Sequence, residues 1–311
     1  MNIIFMGTPD FAVPCMKALA ESGENIKAVF TQPDKPKGRG YKLIPTPVKA
    51  AATELGIDVY QPLSLKNGED AEKALSVINN IKPDLIIVVA YGKILPKHIL
   101  DIPQYGCINV HASLLPKYRG AAPIQWSILN GEKETGVTTM MMEEGLDTGD
   151  MLIAKKVSID ENETLSELHH RLSQSGAEVL LETLTALKAG NLKRIPQSDT
   201  DSSYSPMITK DMSALDFSQP ALTIHNKIRA ITGYAFINGK RIKIFRSELA
   251  GNTDSKDTGL IENISDFSVE CGDGKLIRLT EIQPEGGKRL KSADYLRGNR
   301  LEKGMKLQSG I

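Results

Sequence analysis

The chain has 311 residues, of which 41% are hydrophobic and 24% are charged, and its formal net charge is +0. This is the composition of a globular protein that can bury a sizeable core, and its length favours two domains. A neutral total argues against a protein that coats nucleic acid, and no apolar run approaches the roughly 18 residues that span a membrane.

Cysteine and histidine usage points away from disulfides and metal. The three cysteines are odd in number and lie far apart, so they form neither a disulfide framework nor a ligand cluster. The five histidines show no metal-ligand spacing, and we expect no bound metal. Met1 is followed at once by a strand-like segment and not by a leader, which favours the cytoplasm.

The first segments predict a strand, a turn and a helix. Asn2–Gly7 has the pattern of a buried strand, and a helix is expected over Phe11–Glu21, after Pro9. The turn GTPDF has one glycine where a dinucleotide fingerprint needs three, so a nicotinamide or flavin site is not expected. A second strand follows at Ile26–Phe30.

The stretch Thr31–Pro47 is rich in Pro, Gly, Lys and Arg and poor in residues that could pack a core. A loop of this length inside a compact domain is uncommon and tends to be functional or disordered. A floppy connection is one interpretation. We prefer a mobile arm that meets an anionic ligand.

The middle of the chain alternates strand and helix patterns. The strongest central-strand signal is Asp84–Ala90, an unbroken apolar run of the kind that parallel strands require, and Ile108–Val110 is one more strand. The remaining elements are helices at 48–55, 70–79, 122–129 and 165–187 and strands at 58–60, 136–142 and 151–157. This alternation predicts an α/β domain with a Rossmann-like, mainly parallel sheet, in which ligands bind beyond the carboxyl ends of the strands.

The character of the sequence changes at Asn191–Ser205, which is polar and interpreted as a linker. One helix at 222–231 and several short strands between 235 and 282 follow, separated by turn signals such as Asn238-Gly239. They predict a small, OB-like β-barrel. The expected domains are therefore 1–190 for catalysis, 191–205 as linker and 206–311 as a second, β-rich domain.

Positive charge is unevenly distributed. From residue 205 onward there are 17 Lys and Arg against 13 Asp and Glu, a net +4. Five basic residues and one acid lie within Asp34–Lys49, and seven basic residues and two acids lie within Gly286–Lys306. Two such clusters favour a phosphate-rich partner, although each alone is more often a solvated surface.

Three polar side chains form a candidate catalytic set. Asn109 and His111 are two positions apart on a strand and would point the same way. Together they could stabilise the oxyanion of a tetrahedral intermediate, the histidine in its protonated form. A carboxylate is then needed to orient the imidazole and move a proton, and Asp147, in the glycine-flanked loop 145–149, is the candidate. Neither Ser113 nor Cys107 lies in a nucleophile motif.

The segment NVHASLLPKYRGAAPIQ at Asn109–Gln125, followed by GLDTGD at Gly145–Asp150, resembles the folate-dependent formyltransferase family. The motifs FMGTPDFAVP, TQPDKPKGRG and VVAYGKILP extend the resemblance and point to the branch of the family that acts on tRNA. The resemblance implies transfer of a formyl group from 10-formyltetrahydrofolate to the α-amino group of methionine on initiator tRNA.

The resemblance also implies roles for individual residues. It makes Asn109, His111 and Asp147 catalytic. The residues expected at the folate are Ser113, Leu114, Leu115 and Pro116, together with Val88, Ala90 and Tyr91 at a strand end. The residues expected at the tRNA are Arg39, Lys37 and Lys42.

Other functions stay open at this point. One is a formyltransferase for a small substrate such as a nucleotide sugar or glycinamide ribotide, and another is a hydrolase that releases formate from the same folate. A nucleic-acid-binding module without activity is a third, against which the intact Asn-His-Asp set argues. No helix shows a dimer seam, so we expect a monomer.

Overall fold

The computed structural model describes residues 1–37, 42–255, 257–299, 301–302 and 304–310. The chain forms two compact units, each discontinuous in sequence. The first comprises Met1–Gly120, Thr135–Val157 and His169–Tyr204. The second comprises Ala121–Glu134, Ser158–Leu168 and Ser205–Ile311.

The α-helices of the described residues are, in chain order, α1 Val13–Glu21, α2 Pro47–Glu54, α3 Glu69–Ile81, α4 Lys97–Leu100, α5 Pro123–Leu129, α6 Leu165–Lys188, α7 Ala221–Ile231 and α8 Ser292–Gly298. Single turns of 3₁₀ helix lie at Asp10–Ala12 and Asp211–Ser213. None of the helices within the described residues is long and apolar enough to cross a membrane.

The strands in the first half of the chain are β1 Asn2–Gly7, β2 Asn25–Phe30, β3 Lys35–Lys37, β4 Lys42–Ile44, β5 Val59–Tyr60, β6 Leu85–Val89, β7 Cys107–His111, β8 Arg119–Gly120, β9 Glu134–Met141 and β10 Met151–Ser158. Those of the second half are β11 Tyr204–Ser205, β12 Gly233–Ile237, β13 Lys240–Asn252, β14 Ile261–Asn263, β15 Ser268–Glu270, β16 Lys275–Pro284, β17 Leu290–Lys291 and β18 Leu307–Gln308.

A seven-stranded sheet organises the N-terminal part of the chain, in the order β10-β9-β7-β6-β1-β2-β5. The pairs β6–β7, β1–β6, β1–β2 and β2–β5 are parallel, whereas β7 and β9 are antiparallel. All five residues of β6 are buried, as expected for a central parallel strand covered on both faces. The predicted mainly parallel α/β sheet is confirmed.

The basic stretch at 31–47 contains regular structure that the sequence analysis did not predict. Strands β3 and β4 pair as an antiparallel hairpin, in which Lys35 lies opposite Ile44 and Lys37 opposite Lys42. Proline and glycine at this density argued against a strand, but Pro36 is tolerated because a two-stranded hairpin leaves one edge of each strand unpaired.

The second large sheet has the order β14-β15-β16-β13-β12-β18, and each neighbouring pair of these strands is antiparallel. Its two ends are joined, because the Ile261 N–H donates to the Met305 carbonyl at 2.9 Å and the Leu307 N–H donates to the Gly259 carbonyl at 2.8 Å. The sheet therefore curls back on itself around a core that includes Phe217 and Phe267. The predicted small C-terminal barrel is confirmed.

A buried histidine lies on α7 in the second unit. The His225 side chain is 1% exposed, with Nε2 2.9 Å from the Glu161 carbonyl oxygen and Nδ1 3.0 Å from Ser247 Oγ. Burial lowers the pKa of His225 below its usual 6.5. The hydrogen bond to the Glu161 carbonyl raises this pKa, and the positive charge of Arg229 lowers it, so the net shift is downward.

We expect His225 to make the stability of the protein pH-dependent. Below pH 6.5 an unfolded histidine takes up a proton while the folded His225 stays neutral, so stability present above that pH is lost as the pH falls towards the folded pKa. The free energy of unfolding in urea should therefore fall less over this range in His225→Gln than in the wild type. Equal pH dependence in the two proteins would show that His225 is not the titrating group.

Candidate active site

Asn109 and His111 lie near the end of β7, in the interior of the large sheet. Asn109 pairs with Val88 of the parallel β6, and His111 pairs with Thr138 of the antiparallel β9. The spacing of two residues puts both side chains on the same face of the strand. His111 is 6% exposed and therefore largely removed from solvent, whereas Asn109 is half-buried.

Asp147 lies in the loop between β9 and β10 and reaches the same face. Its Oδ1 accepts a hydrogen bond from Asn109 Nδ2 at 3.4 Å, and its Oδ2 lies 3.7 Å from His111 Nδ1. The backbone N–H of Gly120 donates to Oδ2 at 2.9 Å. The structure thus brings together the three residues proposed from the sequence as a catalytic set. Asn109 and Asp147 are 38 positions apart in the chain.

The ring of His111 is oriented by its other nitrogen. Nε2 lies 2.9 Å from the Tyr118 carbonyl oxygen. A carbonyl oxygen only accepts, so Nε2 carries a proton in this contact. Nδ1 is then the ring nitrogen that faces Asp147.

The backbone of the Asp147 loop is constrained at two positions, Asp147 and Gly149. Asp147 itself has φ +53°, in the left-handed region where a non-glycine residue costs about 1 kcal/mol or more. Gly149 has a different constraint, because a Cβ at this position would lie 2.0 Å from the Met141 carbonyl oxygen. The glycine at 149 therefore allows the loop to pass close to the end of β9.

The segment expected at the folate follows β7 directly. Ser113 is fully buried, and its hydroxyl donates to the Lys117 carbonyl at 2.7 Å. Leu115 is buried and its N–H donates to Thr138 Oγ1, whereas Leu114 and Pro116 are half-buried. The segment is a tight turn fixed by internal hydrogen bonds and by β9.

The other residues expected at the folate lie at the end of β6. Val88 is buried beside Asn109, and Ala90 is exposed with φ +46°. Tyr91 is 1% exposed, and its carbonyl accepts from Thr8 Oγ1 at 2.9 Å and Gln32 Nε2 at 3.2 Å. The Tyr91 ring is part of the hydrophobic core, where burial raises its pKa. The exposed residue at this strand end is Ala90.

The residues expected at the tRNA from the basic stretch are described only in part. Arg39 lies outside the described residues. Lys37 and Lys42 are paired in the β3–β4 hairpin, and their side chains lie outside the described part of the chain.

Two further features near Asp147 were missed by the sequence analysis. Gln197, in the stretch interpreted as a linker, donates to the carbonyls of Asp147 and Gly149. Arg119 has a side chain that is 12% exposed and donates to Gln197 and Asp199. A single glutamine in a polar segment carries no chemical pattern, so only the structure identifies it.

Cys107 begins β7 but lacks the properties of a nucleophile. Its thiol is buried, and burial, followed by the nearby charge of Asp101, raises its pKa to about 12. The reactive form of cysteine is the thiolate, which is scarce at neutral pH in such a position. A covalent acyl-cysteine step is therefore not supported.

The second unit has a basic groove of its own, with a volume of about 550 Å³. Alternate residues of β13 place Arg241, Lys243 and Phe245 on one wall, and Lys210 and Tyr234 also line it. The Arg241 guanidinium lies over the Tyr234 ring at 3.9 Å from its centroid. Cationic and aromatic side chains in one groove are suited to phosphates and nucleic-acid bases.

Comparisons with known proteins cover nearly the whole chain. Residues 1–184 match the family model described as formyl transferase, and residues 207–300 match the formyl transferase C-terminal domain. A methionyl-tRNA formyltransferase from Geobacter sulfurreducens is 48% identical over 311 residues, which cover 99% of this chain and 96% of that protein. One from Clostridium novyi is 49% identical over 309 residues, with coverage of 97% and 98%.

Solved structures share the fold at lower identity. WlaRD, a sugar 3N-formyl transferase crystallised in the presence of dTDP and 5-N-formyl-THF, superposes with a TM-score of 0.68 and 23% identity, over 90% of this chain and 97% of its own. HypX from Aquifex aeolicus in complex with tetrahydrofolic acid gives a TM-score of 0.62 and 18% identity, over 95% of this chain and 47% of its own.

Proposed function

The chain belongs to the formyl transferase family, and we propose that it transfers a formyl group from 10-formyltetrahydrofolate to the α-amino group of methionyl initiator tRNA. The product, N-formylmethionyl-tRNA, would serve translation initiation. The observation that carries this proposal is the cluster of Asn109, His111 and Asp147 on one face of β7, in a chain that matches methionyl-tRNA formyltransferases along its length.

Two of these residues suit the stabilisation of negative charge. When the amine attacks the formyl carbon, the formyl oxygen becomes an oxyanion, and Asn109 Nδ2 can donate to it without a change in protonation. His111 adds a second donor when Nδ1 is protonated, because Nε2–H is already directed at the Tyr118 carbonyl. Both donors are fixed before the reaction, which is the condition for a large electrostatic contribution.

Asp147 has the position to move the proton that the reaction displaces. The attacking amine must lose one proton as the amide forms, and N10 of the folate must gain one. The Asp147 carboxylate lies beside both Asn109 and His111 and accepts a backbone N–H from Gly120. It can take up the amine proton, pass it on and keep the His111 ring oriented for the next step.

The residues around the trio fit a flat heterocyclic donor. Ala90, which is exposed, lies two residues beyond Val88, and Val88 pairs with Asn109. The turn at Ser113–Pro116 begins two residues after His111. Backbone N–H and C=O groups can match the hydrogen-bonding edge of a pterin ring. We assign Val88, Ala90, Tyr91 and the Ser113–Pro116 turn to folate binding, mostly through backbone contacts.

The acceptor is assigned from charge and surface chemistry. The basic stretch with Lys37, Arg39 and Lys42 is suited to the phosphates of a tRNA acceptor end, and the groove with Arg241 and Lys243 to a second part of the molecule. The proposed division of labour is catalysis by residues 1–190, a connection at 191–205 and tRNA binding by 206–311. We further propose a cytoplasmic monomer without a bound metal.

The reaction itself can be tested with purified protein. We expect formylated methionyl-tRNA when 10-formyltetrahydrofolate and methionyl initiator tRNA are both supplied, and neither free formate nor product with the folate alone. Formate release without tRNA would indicate a hydrolase. Formylation of an amino sugar nucleotide or glycinamide ribotide, with methionyl-tRNA left unmodified, would contradict the proposed acceptor.

Substitution of the oxyanion donors tests the chemistry. His111→Ala or Asn109→Ala removes one donor and should lower the single-turnover rate constant by roughly 10²-fold. His98→Ala, an exposed histidine on α4, is the matched control and should retain the wild-type rate. A near-native rate constant for His111→Ala would show that another group stabilises the oxyanion.

Substitution of basic residues tests tRNA binding. Arg39→Ala and Lys243→Ala should each raise the KM for methionyl-tRNA, with the KM for the formyl donor unchanged. Each lost phosphate contact should reduce the slope of log KM against log salt concentration by about 1. Lys275→Ala, on a neighbouring strand and outside the groove, is the control. An unchanged dependence on tRNA and salt would remove the residue concerned from the tRNA surface.

A further inference from the structure

Asp147 is held by its backbone as well as by its carboxylate. The side-chain amide of Gln197 donates to the Asp147 carbonyl at 2.9 Å and to the Gly149 carbonyl at 2.7 Å. One NH₂ group thus bridges two carbonyls that flank the turn. This bridge acts on the residue whose φ of +53° is unfavourable for a side chain with a Cβ, and such conformations persist only where neighbours fix them.

The orientation of the Gln197 amide is determined by its partners. Its Oε1 accepts a hydrogen bond from Arg119 Nε at 2.9 Å. A flipped amide would place Oε1 against two carbonyl oxygens and its NH₂ group against a guanidinium N–H, so the surroundings allow one orientation only. Arg119 is itself restrained at both its side chain and its backbone. Its Nη1 donates to the Asp199 carboxylate at 2.9 Å, and its backbone N–H donates to the Ser203 carbonyl at 2.8 Å.

These contacts form a closed ring around Asp147. Gln197 connects the Asp147 carbonyl to the Arg119 side chain, and the next residue, Gly120, donates its N–H to the Asp147 carboxylate at 2.9 Å. The two residues of β8 therefore act on both the carboxylate and the carbonyl of Asp147. Gly120 bonds the carboxylate directly, and Arg119 is connected to the carbonyl through Gln197. The direction of the carboxylate and the conformation of its backbone are coupled.

We propose that Gln197 is a positioning residue that sets the direction of the Asp147 carboxylate towards His111 and Asn109. This inference rests on the proposed role of Asp147. Gln197 acts through the loop and not through the reactants, since within the described residues its side chain hydrogen-bonds the two carbonyls and Arg119.

The backbone of the Gln197 segment is anchored without the side chain. Ile195 forms two backbone hydrogen bonds with Met151, each 2.9 Å long. Loss of the Gln197 amide therefore leaves the segment in place and changes the restraint on the Asp147 loop. This separates a positioning role from a role in folding.

Two substitutions distinguish the bridge from a simple anchor for Arg119. Gln197→Met keeps the length of the side chain and removes all three hydrogen bonds. Gln197→Glu keeps an acceptor for Arg119 but places an oxygen against the carbonyls of Asp147 and Gly149. Both should lower the single-turnover rate constant about 10-fold or more, because a small displacement of the Asp147 carboxylate is enough for such a loss. The KM values for both substrates should stay unchanged.

Ser198→Ala, the exposed neighbour whose hydroxyl bonds Thr200, should keep the wild-type rate constant. A wild-type rate constant for Gln197→Glu would reduce Gln197 to an anchor for Arg119. In Gln197→Met, a lower amplitude of the single-turnover reaction with an unchanged rate constant would indicate a folding role and overturn the proposal. A wild-type amplitude together with a wild-type rate constant would overturn it as well.

Hydrogen exchange gives a readout that does not depend on the assigned reaction. In Gln197→Met the amides of residues 143–150 and of Gly120, which bonds the Asp147 carboxylate, should exchange faster, while those of β6 stay protected. Unchanged exchange at these amides would overturn the positioning role. If the wild type failed to formylate methionyl-tRNA, the proposed function would fail, and exchange would still decide whether Gln197 restrains Asp147.

Discussion

The hydrogen bond from the Gly120 N–H to the Asp147 carboxylate is the contact on which the candidate site depends. It joins a two-residue strand to a loop 27 positions later, and both segments have unfavourable backbone conformations nearby, at Tyr118 and at Asp147 itself. Strand β7 alone can direct Asn109 and His111 to one face. It provides no carboxylate there, and the hydrogen bond from Gly120 holds that of Asp147 on this face. The carbonyl of Tyr118 in turn orients the His111 ring.

The basic groove shows how a neutral protein can present a positive surface. The total charge is +0, and even the C-terminal excess of +4 says little about position. The groove arises because β13 alternates, so that Arg241 and Lys243 project from one face while Ile242 and Ile244 fill the core on the other. Stacking of Arg241 on Tyr234 then holds a cation in place while leaving its edge free for further hydrogen bonds.

The sequence was informative where one physical signal dominates. The apolar run of β6 and the alternation of strands and helices indicated a parallel sheet, and the spacing of Asn109 and His111 predicted a shared face. It was uninformative where structure depends on a contact between distant segments. The β3–β4 hairpin is stabilised by pairing that proline-rich composition obscures, and Gln197 gains its importance from two backbone carbonyls that no sequence pattern encodes.

The two oxygens of Asp147 are inequivalent, which bears on the route of the proton. Oδ2 accepts the short bond from Gly120 and faces His111 Nδ1, whereas Oδ1 has the longer contact with Asn109, at 3.4 Å. A carboxylate oxygen that already accepts a backbone N–H is the poorer site for an added proton, because that hydrogen bond stabilises its negative charge. If Asp147 carries the proton as proposed, the amine proton is expected to pass through Oδ1, beside the Asn109 amide that is proposed to stabilise the oxyanion. Oδ2 then keeps its contacts with Gly120 and His111, and the His111 ring keeps its orientation. One residue can then move a proton and hold its neighbour still, because each task uses a different oxygen.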